Sequence, residues 1–174
     1  DLEMSFVERE DIMGLIEDMF TLMVETLVPE KRILSKPWPR LDYQETMRRF
    51  GKDSPDLRFG LELKDITDLA PRTGFKVFAD TVSRGGHVRG INAKGLGSYT
   101  RKQIDELTEF VKSLGAKGLA YLLVTPEGVK SPIAKFLTEA EIAGLVALAE
   151  GAPGDLVAFV ADKPVGLVND QLPL

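Results

Sequence analysis

The chain has 174 residues, 44% apolar and 28% charged, with 22 Lys/Arg against 27 Asp/Glu for a net charge of −5. That composition can bury a proper core in one or two domains and does not read as disorder. The lack of cysteine and the single histidine, His87, exclude disulfides, thiolate metal sites and multi-histidine metal or acid–base centres.

Taken in chain order, DLEMSFVE (1–8) alternates apolar and polar positions and predicts a strand that begins with no lead-in. EDIMGLIEDMFTLMVETLV follows with Ile12, Leu15, Ile16, Met19, Met23 and Leu27 at helical spacing, a stripe for packing rather than a ligand box; Pro29 ends it. Trp38 stands between two prolines and reads as a core plug rather than a base-stacking platform. Asp42 and Glu45 make a capping pattern for a short helix ending at Gly51. FGKDSPDLRFG (50–60) then sets Pro55 between glycines and charges, a rigid corner where one folding unit hands over to another.

FKVFADTV (75–82), HVRGINA (87–93), GLAYLLV (118–124) and DLVAFVAD (155–162) predict strands. Thr100-Arg-Lys-Gln103 and Thr138-Glu-Ala-Glu141 are capping boxes opening two helices, closed by Gly115 and Gly151. The expected fold is α+β: a two-layer sandwich, a mostly antiparallel sheet with helices on one face. Both ends read as cut.

The charge is divided. Pro71–Leu137 holds eleven Lys/Arg and five Asp/Glu, a balance of +6, and the rest of the chain is acidic. A basic middle suits an anionic partner; solvated lysines scattered around a small domain are the plainer reading. Within it, GLGSYTRK (95–102) ends at a helix N-terminus with Arg101 and Lys102, which can attract phosphate or simply cap and solvate a helix. The spacing is not that of a P-loop. SRGGHVRG (83–90) brings Arg84, His87 and Arg89 to what reads as a hairpin tip, as phosphate or ribose contacts or as solvated side chains. No constellation of nucleophile, base and orienting group is present, so no catalytic residue and no metal ligand is assigned. No apolar stretch is long enough to span a bilayer and the N-terminus lacks a secretion-signal layout, so no membrane partner and a cytoplasmic location are expected.

DLEMSF, PWPRLDYQETMRRFGKDSPDLRFGLEL, TRKQIDELTEFVKSLGAKGLAYLLV, SPIAKFL and GDLVAFVAD, in this order, resemble the bacterial type of aspartyl-tRNA synthetase, a class II enzyme, over essentially the whole chain. The family pattern YGSDKPDLR reads FGKDSPDLR here, with lysine and serine exchanged. The resemblance implies that residues 1–58 are part of the class II catalytic core from the end of motif 2, that 59–163 are the GAD insertion domain, and that 164–174 return to the core. It also implies an aspartate at position 1, Asp1, facing the ammonium of the bound amino acid. For the parent enzyme it implies ATP and Mg²⁺ as cofactors, L-aspartate, ATP and the tRNA acceptor arm as partners, and a homodimer. The fragment itself is expected to be monomeric, to hold no cofactor and to be inactive, with the insertion positioning the acceptor arm or, alternatively, serving as a structural spacer with no RNA contact.

Overall fold

The computed structural model describes residues 2–58 and 60–162. They divide into two compact units, one ending at Asp42 and the other beginning at Tyr43.

The first unit is built on helix α1 (Arg9–Leu27), as the apolar spacing predicts. Glu8 and Asp11 close a reciprocal capping box, with the Glu8 N–H donating to Asp11 Oδ2 at 2.9 Å. Trp38 packs on Phe20 with ring centroids 6.3 Å apart, and its backbone N–H donates to Glu17 at 2.7 Å. Arg40 pairs with the same Glu17 at 2.9 Å. The strand expected at 1–8 is not found among described residues 2–8. Phe6 adopts a left-handed φ of 57° and is fully exposed, and an alternating segment with no strand beside it cannot satisfy its backbone.

The second unit opens with helix α2 (Tyr43–Phe50), which buries Thr46 and Phe50. The corner at 50–60 lies inside this unit. Arg49 forks onto Glu62 at 2.6 and 3.1 Å and onto Glu45 at 2.8 Å, and the Leu63 N–H donates to the Arg49 carbonyl at 2.7 Å. The compact division falls at 42/43; the expected return segment, 164–174, lies outside the described residues.

The strands β1 (Lys64–Asp65), β2 (His87–Ala93), β3 (Ala120–Thr125), β4 (Gly128–Lys130) and β5 (Leu156–Asp162) form one antiparallel sheet in the order β1-β2-β5-β3-β4. Three strands match the sequence reading closely. FKVFADTV does not: it is helix α3 (Lys76–Ser83). Phe75, Phe78 and Val82 recur at helical spacing while Phe75, Val77 and Ala79 alternate, and packing decides. Phe78 is buried edge-on against Phe75 at 4.9 Å and Phe159 at 6.0 Å. Both capping boxes form, opening α4 (Arg101–Ser113) and α5 (Glu139–Leu148).

The α+β class and the antiparallel sheet are as expected, but helices flank both faces. On β5, Val157 and Phe159 pack with Phe78 of α3 and Leu145 and Ala149 at the end of α5. Val160 points the other way and packs with Val111 of α4, Ala116 and Leu63. One side of this core thus belongs to α3 and α5, the other to α4. Gly90 makes the first side possible: a Cβ there would lie 2.4 Å from the Phe159 ring and 2.6 Å from the Ala158 carbonyl oxygen.

Candidate nucleic-acid interface

The β2–β5 register fixes where the basic residues go. His87 lies opposite Asp162 and Ala93 opposite Leu156, so residues near His87 and residues after Ala93 sit at opposite ends of a seven-residue strand, about 20 Å apart.

At the His87 end, Lys117 Nζ bonds Asp162 Oδ1 at 2.9 Å; the lysine is exposed and the aspartate buried. Arg84 caps the C-terminus of α3 and lines the same polar cleft as Lys117 and Asp162. A cation at a helix C-terminus is favourable by itself. His87 is half-buried at the start of β2. Arg89 is withdrawn from the surface: it is 7% exposed, opposite Asp65 in the register, with Nε 3.3 Å from Asp65 Oδ2. The hairpin tip that was to present Arg84, His87 and Arg89 together is instead a helix–turn–strand junction.

At the other end, the loop after β2 is held by Asp155, which accepts from Gly95 N–H at 2.9 Å, Ala152 N–H at 3.0 Å and Asn92 Nδ2 at 3.1 Å. Burial by itself would raise the Asp155 carboxyl, but these donors outweigh it and hold it below the usual carboxylate range. Gly97 N–H donates to the Gly154 carbonyl at 2.7 Å, and a Cβ on Gly97 would collide with that backbone at 2.6 Å. This anchor sets the start of α4, where Thr100 and Gln103 cap one another. Arg101 and Lys102 project from the first turn, exposed and paired along the helix with Asp105 at 2.9 Å and Glu106 at 3.8 Å. Such exposed pairs are worth ~0–1 kcal/mol and open easily to another anion. Lys94 is also exposed here. Asp1 lies outside the described residues.

The structure thus brings Lys94, Arg101 and Lys102 to one end, gathers Arg84, His87 and Lys117 at the other, and removes Arg89 from both. Missed from the sequence was the role of Asp80, Thr81 and Asp162 around Arg84. The signal existed: Val77, Thr81 and Arg84 stand at helical spacing, hidden once the segment is read as a strand. Among the described residues, no group of three His, Cys, Asp or Glu side chains is placed to hold a metal ion, and no helix is long and apolar enough to cross a membrane.

Comparison with known proteins adds the decisive fact: residues 78–172 match the model of the GAD domain. The chain belongs to the GAD domain family. Over 163 residues it is 55% identical to an aspartate–tRNA(Asp/Asn) ligase of Moorella thermoacetica, covering 93% of this chain and 27% of that protein. A ligase of the same name from Geotalea uraniireducens is 52% identical over 173 residues, 99% of this chain and 28% of its own length. An aspartate–tRNA ligase of Staphylococcus haemolyticus is 49% identical over 166 residues, 94% of this chain and 28% of its own. The chain spans little more than a quarter of the length of these relatives.

Proposed function

We propose that the chain is one part of an aspartate–tRNA ligase, a cytoplasmic enzyme that activates L-aspartate with ATP and esterifies the 3′ end of tRNA, and that its GAD body helps to position the tRNA acceptor arm. The observation that carries this reading is identity near one half along almost the whole chain with proteins of that name, through both compact units. The chain spans little more than a quarter of these relatives, and the ATP chemistry is assigned to parts of the longer enzyme outside it. Phosphoryl and acyl transfer depend on fixed charges around the reacting phosphates. The 174 residues alone are therefore expected to catalyse neither ATP–pyrophosphate exchange nor aminoacylation.

The positioning role rests on the exposed cations at the start of α4. Lys94, Arg101 and Lys102 offer about three phosphate contacts, which predicts a slope near −3 for log K against log salt in tRNA binding by the 174-residue chain. In the longer enzyme, replacing the three with alanine should raise KM for tRNA several-fold and leave ATP–pyrophosphate exchange unchanged. Retention of tRNA with no salt dependence, or an unchanged KM, would favour the structural spacer.

A further inference from the structure

Beside the closed core of the GAD body, whose Phe78 and Phe159 are buried, the surface is grooved. Between α3 and the β5–β3 part of the sheet lies a cleft of about 420 Å³, a volume within the range of small-ligand sites, roughly 300–1,000 Å³. Its walls are Phe75, Phe78, Ile133, Phe159, Leu119 and Ala161. It continues past Val77, Thr81 and Lys117 into a second space of about 290 Å³, where the lining is Asp80, Arg84, Lys117 and Asp162. An aromatic and aliphatic groove thus ends in a mouth that, among the described residues, carries two acids and two bases.

The state of those four groups narrows the ligand. Asp162 is already neutralised by Lys117 at 2.9 Å, and that ammonium, being exposed, keeps two of its three donors open. Asp80 and Arg84 are exposed and have no ion-pair partner among the described residues. Among the described residues the mouth is balanced in charge: the Arg84 guanidinium and the spare Lys117 donors line it together with the Asp80 carboxylate. A phosphate dianion would satisfy the cations and meet Asp80 as a like charge. A bare hydrocarbon would leave all of them unused.

The geometry points to a binding site for a free α-amino acid with an aliphatic or aromatic side chain, its body on the groove between Phe75, Val77, Leu119 and Ala161, which the buried Phe78 and Phe159 floor, and its zwitterionic head at Arg84, Lys117 and Asp80. The ligand carboxylate takes the Arg84 fork and the open Lys117 donors, and its ammonium takes Asp80, each as a charge-assisted bond. The site is separate from the cations at the start of α4 and does not depend on how tRNA is held.

The test is an NMR titration of the 174-residue chain with L-phenylalanine and L-leucine, following the methyls of Val77, Thr81 and Ala161. Saturable shifts confined to the cleft are expected. 3-Phenylpropionate, which lacks the ammonium, and phenethylamine, which lacks the carboxylate, should each bind about tenfold more weakly or worse. Arg84→Ala and Asp80→Asn should each cost a similar factor while moving the unfolding temperature by only about a few degrees, because both side chains are exposed and Arg84 contributes only a helix-terminal charge. Val77→Trp, at the half-open rim, should block the shifts without unfolding the protein. The proposal is overturned if neither amino acid produces saturable shifts at the cleft. It is equally overturned if 3-phenylpropionate or AMP binds as tightly as L-phenylalanine, which would make the site one for anions.

Discussion

Helix α1 has nineteen residues and buries none of them, whereas α5, with ten, buries Leu145 completely. Both carry apolar positions at helical spacing, Ile12, Leu15, Ile16 and Met19 in the first and Ile142, Leu145 and Leu148 in the second. Along α1, Leu15, Met19, Leu22, Met23 and Leu27 remain substantially exposed. In residues 43–162, by contrast, the apolar side chains of β2, β3 and β5 are covered on one face by α3 and α5 and on the other by α4. Periodicity says that a helix has a face; it does not say that the face is covered. Since most helical stability in proteins comes from packing of that face, the second unit carries the stability of this chain and the first contributes little to it.

The sharpest way to break that comparison is one substitution made in both units. Gly90→Val would drive a branched side chain into the Phe159 ring and the Ala158 carbonyl, at 2.4 and 2.6 Å from its Cβ. The expected loss is about 3 kcal/mol or more in urea unfolding, with a fraction of the chain failing to fold. Gly14, within α1, has nothing within 4 Å of a Cβ, so Gly14→Val should stay within about 1 kcal/mol of the original chain. If the two variants lose similar stability, the distinction between the units is wrong.

A second probe asks how far the loop anchor shares in that stability. Asp155→Ala strands the Gly95 and Ala152 N–H groups and one N–H of the Asn92 amide, which keeps its bond to the Glu150 carbonyl at 2.9 Å, for an expected cost of about 2–3 kcal/mol. The carboxyl is depressed in the folded state and ordinary in the unfolded one. Its stabilising contribution is therefore complete above the unfolded value, near 3.9, and is lost as pH falls through the folded value. Acid unfolding of the alanine variant should accordingly be less steep over that window. Hydrogen exchange gives a third comparison. Amides of β2 and β5 should exchange only with global unfolding, and those of α1 at least roughly a hundredfold faster.

What could be read from the sequence follows the range of the signal. Thr100–Gln103 and Thr138–Glu141 specify their helix starts through contacts three residues apart, and both starts were legible to the residue. β2 and β5 were legible because their runs are long and their ends are marked by glycine and aspartate. The segment 75–82 was not, because its apolar residues satisfy two periods at once and only the distant Phe159 chooses between them. The site divides the same way. Arg101 and Lys102 project from the helix start as expected. Arg89 does not reach solvent, because a two-residue strand, β1, supplies Asp65 beside it. No local pattern announces a strand that short.

The smallest expected effect tests whether the corner at 50–60 behaves as part of the second unit or as a separate hinge. Asp56 accepts from Arg58 Nε at 2.8 and 3.0 Å and from the Arg58 backbone N–H at 3.0 Å. The Arg58 side chain is the main reason its carboxyl is lowered to about 2. A depressed carboxylate stabilises the fold above the unfolded value and ceases to do so as pH falls through about 2. Both groups lie at the surface, so salt screens the pair and the effect on overall stability is slight. The readout must therefore be local: an NMR titration of the Asp56 carboxyl, with its midpoint near 2 moving back toward the ordinary aspartate value in Arg58→Ala. If the midpoint is already ordinary in the unaltered chain, the turn is not held by this pair. The order of the corner must then come from the Arg49–Glu62 fork that ties its far side to α2.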